Sequence, residues 1–496
     1  MVDESPKPGA TLLSRGARGG SLILVGSGAS FGIQIVSLLV LSRLLTPSDF
    51  GLVAMVTIFV ALGNLLRDFG LPLAGLQERS LTRQQASNLF WMSTLIAAVC
   101  ALLLAVFTPA LVALFNEPRL TLIVPTLSVS VFLGGMSAQL QVQLARNMQF
   151  GALVASDVIA QIVALGVAVA LAIAGTGYWA LVAQSLAAAL LTLVYRWIAS
   201  RWTPLAPRRG HDALRLFKTG AAYGFAQMLT FAQSNVDTLL IGAQLGATPL
   251  GYYNRAYQLL TAPAGRLLDP LTQVVVTTLN KAKSAHRDPD ELLYKIQFGV
   301  GTLIVWLFAV TAATAPALIP LVLGEQWGPS IPIFQVLSVG GSIWVFNHVS
   351  YWAFIIKEKP YALLSYNLVS KPLAITSIFL GSHFGVLGVA WGYAAAMAFS
   401  WPLNLFWLAK AGNLPAWRFF ANGCRILLSG VCGAGAAGAV FGLVATASPF
   451  ISIATAVIAG SGAMALVLLV LPQSRLLLAA WIRLARSSFL PMRKVV

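Results

Sequence analysis

The chain has 496 residues, of which 58% are hydrophobic and 9% charged, and its formal net charge is +17. A soluble domain carries about 25% charged residues, so this composition excludes an ordinary globular protein. Nucleic-acid binding is excluded as well, because no soluble domain exists to carry a basic face.

Taken in chain order, 1–20 is polar and reads as a disordered cytoplasmic N-terminus. Arg15 and Arg18 then precede a full-length apolar stretch without a clear cleavage site, so this is a retained membrane helix rather than a signal peptide. Fourteen stretches are long enough to cross a hydrocarbon core, which needs about 20 apolar residues. Six lie in a first lobe over 21–199: Ser21–Leu44, Phe50–Phe69, Asn88–Leu114, Leu120–Val142, Gly151–Ala174 and Tyr178–Ala199. The linker 200–214 is basic and holds Pro204 and Pro207. A second lobe over 215–409 repeats the plan with Arg215–Ile241, Leu250–Thr277, Leu292–Ile319, Ile331–Phe354, Tyr361–His383 and Val386–Ala409. A last pair, Phe419–Val444 and Phe450–Leu471, fills 419–471. The tail 472–496 sets Arg475, Arg483 and Arg486 opposite Leu477, Trp481 and Leu484, the pattern of an amphipathic cytoplasmic helix at the membrane surface. The spans are helices because an open sheet leaves backbone groups unsatisfied in lipid. The fold class is therefore an all-α polytopic membrane protein of about 14 helices.

Lysine and arginine fix the orientation. Arg67, Arg79, Arg83, Arg146, Arg196, Arg201, Arg208, Lys281, Lys283, Lys357, Lys410 and Arg475 fall on one side of the alternation, and Arg43 and Arg119 alone on the other. Both termini are then cytoplasmic. Six helices per lobe is an even number, so both lobes enter from the same side and the repeat is parallel. The tips of the two first hairpins echo each other, Leu45-Thr46-Pro47-Ser48-Asp49-Phe50-Gly51 in one lobe and Leu245-Gly246-Ala247-Thr248-Pro249-Leu250-Gly251 in the other. Gly430, Gly433, Gly435 and Gly438 in the thirteenth span are expected to pack closely on a neighbouring helix. Cys100, Cys424 and Cys432 lie in apolar spans without metal-ligand spacing.

Val236-Asp237-Thr238-Leu239-Leu240-Ile241-Gly242, Leu250-Gly251-Tyr252-Tyr253-Asn254-Arg255-Ala256-Tyr257, the first-lobe tip and Asp68-Phe69-Gly70-Leu71 carry a resemblance. They resemble the polysaccharide-transporter branch of the multidrug/oligosaccharidyl-lipid/polysaccharide (MOP) flippase superfamily, and within it the Wzx-type exporters of lipopolysaccharide and exopolysaccharide units. The resemblance implies a two-lobed, MOP-flippase-like fold in a bacterial inner membrane, with a central cavity that opens alternately to each side. The cargo it implies is an undecaprenyl-pyrophosphate-linked oligosaccharide for lipopolysaccharide, O-antigen or exopolysaccharide assembly, with polymerase and glycosyltransferases as partners.

Ionisable groups inside spans are the functional candidates. Arg255 and Arg266 are eleven residues apart on one face of the eighth span, roughly 16 Å along the axis, and suit a diphosphate at two depths. The structural alternative pairs Arg266 with Asp269 and lets Arg255 snorkel. Lys371 and Arg67 are further cavity cations, each with a structural alternative: a polar partner on a neighbouring helix for Lys371, an ion pair with Asp68 for Arg67. Gln233, Asn235 and Asp237 make the seventh span polar; they serve sugar hydroxyls, a coupling cation or helix–helix hydrogen bonds. Gln34, Asp157, Gln161, Asn347 and His348 are weaker candidates of the same kind. The chain has no P-loop for ATP, no metal-ligand cluster and no large loop for a transferase site, so it reads as a non-enzyme without cofactor. Asp157, Asp237 and Asp269 are the carboxylates for H+ or Na+ coupling. A cation-coupled multidrug exporter of the same fold and a membrane glycosyltransferase or polymerase are the alternatives.

Overall fold

The computed structural model describes residues 8–68, 82–208, 228, 231–286, 288–444 and 448–489. Among these residues the chain is helical apart from turns and short connections. It divides into two compact units, Met1–Gly251 and Tyr252–Val496.

The first unit holds α1 (Pro8–Leu44), α2 (Pro47–Asp68), α3 (Arg83–Val106), α4 (Thr108–Phe115), α5 (Leu120–Arg146), α6 (Phe150–Ile173), α7 (Trp179–Ser200), α8 (231–245) and the first residues of α9 (Ala247–Ser284). The second holds the rest of α9, then α10 (Pro289–Leu323), α11 (Ser330–Ile356), α12 (Pro360–Ser382), α13 (Gly385–Gly412), α14 (Ala416–Leu443), α15 (Pro449–Val470) and α16 (Pro472–Phe489). Twelve of these helices are long and apolar enough to cross a membrane among the described residues. They answer to the first six and last six expected spans. The expected seventh span lies partly outside the described residues, in 209–227 and 229–230. The eighth is α9, a 38-residue helix, made too polar for an apolar span by Arg255, Arg266, Lys281, Lys283 and its threonines.

Two boundaries differ from expectation for local reasons. α1 reaches back to Pro8, into the stretch expected to be disordered; proline suits a first helical turn, and no second proline follows before Pro47. The third span breaks at Phe107 rather than running to Leu114. Pro109 causes this break, because its ring crowds the preceding turn and it has no N–H to donate.

Polar caps start several helices where the sequence changes character. Thr46 and Asp49 form reciprocal bonds across the start of α2: the Thr46 backbone N–H donates to Asp49 Oδ2 at 2.9 Å, and the Asp49 N–H to Thr46 Oγ1 at 3.3 Å. Thr82 and Gln85 form the same box at the start of α3. In the α4–α5 connection the Arg119 guanidinium forks onto Glu117, with two bonds of 2.8 Å. This pairing holds the Glu117 carboxyl below the usual carboxylate range.

Within the first unit α5 packs against α2, α3 and α7, while α6 packs against α1 and α7. The two echoing hairpin tips touch there reciprocally. A Cβ on Gly51 would run into the Ala247 carbonyl, and a Cβ on Gly251 into the Pro47 carbonyl. Each partner is the other's counterpart, 200 positions along, and only the missing side chains let the two backbones approach. In the second unit α10 packs against α11, α14 and α15, and α13 against α11 and α12. Of the thirteenth-span glycines, Gly430 faces Val305 and Gly433 the Gly460 carbonyl, whereas Gly435 and Gly438 face open space. Close packing therefore explains half of that set.

Candidate functional site

An open cavity of about 430 Å³ in the first unit is lined by α2, α5, α6 and α7 near the C-terminal ends of α2, α5 and α7 and the N-terminal end of α6. Its floor is built around Arg196, which is 8% exposed. This guanidinium donates Nη2 to Asp157 Oδ1 at 2.8 Å and Nε to Ser156 Oγ at 3.2 Å. Nη1 donates to both Ser137 Oγ and Gln141 Oε1 at 3.1 Å. Ser137 and Gln141 are one helical turn apart on α5, and Ser156 and Asp157 are consecutive on α6. One side chain of α7 thereby ties three helices. The rigid fork of five donors is what lets arginine do this. The pair is unequal in solvation: the Arg196 side chain is 9% exposed and that of Asp157 46%.

Arg67 completes the lining from α2. Its Nη1 donates to Asn64 Oδ1 at 3.0 Å. The side chain crosses α5 at Gly134-Gly135, where a Cβ on Gly134 would collide with the guanidinium. Gln161 and Thr192 line the same cavity, and Gln161 Nε2 reaches Ser30 Oγ of α1 at 3.4 Å. The charged lining is thus two guanidinium groups and one carboxylate. Arg196 lies four residues from the end of α7 and Asp157 seven from the start of α6, so the site sits roughly 6–10 Å inside the bundle end. An excess of positive charge with hydrogen-bonding neighbours, recessed from bulk water, suits an anionic group with several acceptor oxygens.

The other expected residues are distributed as follows. In the first unit, Asp237 is buried on α8; its Oδ1 accepts from the Thr238 backbone N–H at 2.7 Å. Asn235 is half-buried and donates to the Phe231 carbonyl of its own helix at 2.9 Å, and Gln233 is half-buried beside it. In the second unit, Arg255 is half-buried and donates Nη1 to Gln258 Oε1 at 2.7 Å, while Arg266 is exposed farther along α9. Lys371 is half-buried on α12. The side chains of Asp68 and Asp269 lie outside the described residues, and with them the two ion pairs expected there. His348 on α11 meets Thr272 of α9, with Nε2 and Oγ1 3.2 Å apart. No group of three His, Cys, Asp or Glu that could hold a metal ion occurs among the described residues.

The structure therefore brings together Arg67, Asp157 and Gln161. It adds three residues that sequence reasoning did not select for the site: Arg196, Ser137 and Gln141. Arg196 was readable as a cation, but its place near a span end made it one of the many that mark the cytoplasmic side. The signal that separates it from them is the Ser156-Asp157 pair in the preceding span.

Known proteins resemble this chain in sequence and in fold. A sequence model of the polysaccharide biosynthesis protein family matches residues 40–332. The teichuronic acid biosynthesis protein TuaB of Bacillus subtilis is 25% identical over 398 residues, covering 79% of this chain and 81% of TuaB. The lipopolysaccharide biosynthesis protein WzxC of Escherichia coli is 21% identical over 398 residues, covering 76% of this chain and 78% of WzxC. Among solved structures, the lipid II flippase MurJ in an inward closed conformation superimposes with a TM-score of 0.70, covering 90% of this chain and 98% of MurJ at 12% identity. That identity speaks for the fold alone.

Proposed function

We propose that this chain, which belongs to the polysaccharide biosynthesis protein family, is a flippase that carries a lipid-linked oligosaccharide across a bacterial inner membrane. The observation that carries this reading is the cavity with two guanidinium groups and one carboxylate inside a multi-pass helical bundle. A lipid diphosphate is the anion that such a protein meets at depth. It cannot cross hydrocarbon without compensating charge, and intramembrane arginine is too costly to keep without a task.

In this reading both termini are cytoplasmic, and the Arg67 and Arg196 cavity receives the diphosphate at the inner face. Arg196 is held in place by its four acceptors and supplies fixed positive potential, while Arg67 offers its donors to phosphate oxygens. Arg255, Arg266 and Lys371 are the candidate contacts for an anionic headgroup within the second unit. Asp157, Asp237 and Asp269 are the groups through which H+ or Na+ would couple. The chemistry is translocation without bond cleavage, and a polymerase and glycosyltransferases act before or after it. A cation-coupled drug exporter would need an acidic cavity, which the two arginines oppose.

The test is flipping of a fluorescent undecaprenyl-pyrophosphate oligosaccharide in proteoliposomes under an imposed ion gradient. Native protein should flip it, and Arg67→Gln and Arg266→Gln should each lose flipping while keeping the native melting temperature. Normal flipping by both variants, or none by the native protein, overturns the proposal.

A further inference from the structure

The most enclosed of the twelve apolar spans is α11. Over its last three turns the less covered side is Trp344, Asn347, His348 and Ile355, each half-buried, and Tyr351, which is exposed, while every other residue from Val345 to Ile356 is buried. The Asn347 amide is turned inward and donates to the Met397 carbonyl of α13 at 3.3 Å. A side turned to lipid looks different: α6 exposes Ile159, Ile162, Val163 and Ile173. An imidazole and a phenol on the less covered side of a membrane helix are expensive against hydrocarbon and are kept where they meet protein, water or a polar ligand.

The rings on this side form one row. The His348 ring centroid is 5.6 Å from that of Trp344 and 6.2 Å from that of Tyr351. Beneath it Trp352 meets the imidazole edge to face at 5.2 Å and is itself fully buried. Thr272 of α9 fixes the arrangement. Its hydroxyl donates to the Leu268 carbonyl at 3.0 Å and accepts from Trp352 Nε1 at 3.0 Å. His348 Nε2 lies 3.2 Å from the same hydroxyl and shares a hydrogen bond with it. The imidazole is held at a set angle between two aromatic rings, and Tyr351 is 42% exposed beside it.

Resting on the flippase reading above, we propose that Trp344, His348 and Tyr351 form a stacking bed for a pyranose ring of the lipid-linked oligosaccharide. A pyranose presents a flat face of C–H groups and a rim of hydroxyls. The C–H face lies on the negative face of an aromatic ring, and the exposed Tyr351 phenol at the edge suits the rim. The bed carries no fixed charge, so it selects for sugar and not for diphosphate. Thr272 follows Arg266 by six residues on α9, about 9 Å along the axis and about 120° around it, so the bed and Arg266 lie at neighbouring depths on different sides of that helix.

The experiment compares two radiolabelled lipids on the full chain in nanodiscs, undecaprenyl diphosphate and undecaprenyl diphosphate bearing a β-linked glucose disaccharide. Native protein should bind the glycosylated lipid more tightly. Trp344→Ala and Tyr351→Ala should each weaken the glycosylated lipid by about tenfold, the scale of one aromatic contact. Binding of the bare lipid should be retained, which also shows that the variants are folded. Trp344→Phe and Tyr351→Phe, which keep a ring, should stay close to native. Equal weakening for both lipids, or unchanged binding of the glycosylated lipid, overturns the stacking bed and leaves the flippase reading standing. Native protein that binds neither lipid overturns both.

Discussion

The Arg196–Asp157 pair predicts an asymmetry that a surface ion pair would not show. The two partners differ in solvation, with side chains 9% and 46% exposed. Asp157→Ala takes away the carboxylate at 2.8 Å and leaves a guanidinium that is 9% exposed with three neutral acceptors at the edge of the cavity. Stranding a fully buried charge costs about 3–5 kcal/mol, and water entering where the carboxylate stood brings the cost to the lower figure. Arg196→Gln removes the buried member instead. Asp157 then faces the cavity and can hydrate, and water can reach Ser137 and Gln141, which line it. The lost bonds to a charged donor would be worth about 1.5–3 kcal/mol each in isolation, but replacement by water and the exposure of Asp157 reduce the total to roughly 1–3 kcal/mol. The carboxylate variant should therefore be the less stable of the two.

Equilibrium unfolding in mixed micelles titrated with SDS measures both variants and their combination. The double variant should recover roughly 1 kcal/mol or more relative to the sum of the singles, because the stranded charge disappears when both partners go. Arg196→Gln proving the more damaging change, or strict additivity, would refute the reasoning and assign Arg196 a packing role alone.

The remaining predictions concern other parts of the two units. Asp290 and Lys357 pair at 2.8 Å with side chains 18% and 16% exposed, so Asp290→Ala should cost about 2–4 kcal/mol in the same assay; Glu358→Ala, which breaks the solvated Lys283–Glu358 pair, should leave stability unchanged within error. Gly51→Ala and Gly251→Ala should each lower the melting temperature by several degrees and by similar amounts, since each places a methyl group into the opposite backbone; one tolerated substitution would argue against the reciprocal crossing. Asn88 exchanges two hydrogen bonds with the Arg208 backbone, at 2.8 and 3.1 Å. Two such bonds are worth about 1–3 kcal/mol, so Asn88→Ala should speed trypsin cleavage after Arg208 by about tenfold in inside-out vesicles.

Much of the fold is legible because the bilayer sets helix length and lysine and arginine mark one side. Twelve of the fourteen expected spans recur with ends shifted by a few residues, and the misread third span turns on one residue, Pro109. The eighth expected span recurs as the long helix α9, although its arginines and threonines weaken its apolar character, and leaving it out would set every later loop on the wrong side of the charge alternation. What the sequence could not show is tertiary. The echo between the two hairpin tips was visible as letters, but the reason for Gly51 and Gly251 is the backbone each meets some 200 positions away, and no local pattern encodes that.

The site divides along the same line. Arg67 and Asp157 stood out because charge inside a span is anomalous wherever it occurs. Arg196 did not, because a cation four residues from a helix end ordinarily snorkels to the interface and needs no explanation. Its partners come from 39 to 59 positions upstream, on two other helices, and burial is what distinguishes it from Arg146 or Arg201. The same reasoning applies to α11. His348 stood out as a polar group inside a span, but Trp344 and Tyr351 carried no such signal, and only the structure sets them in a row with it on the less covered side of the helix. In both places the informative quantity is which side of a helix its neighbours leave uncovered, and a membrane span, apolar all round, hides that more completely than a soluble helix does.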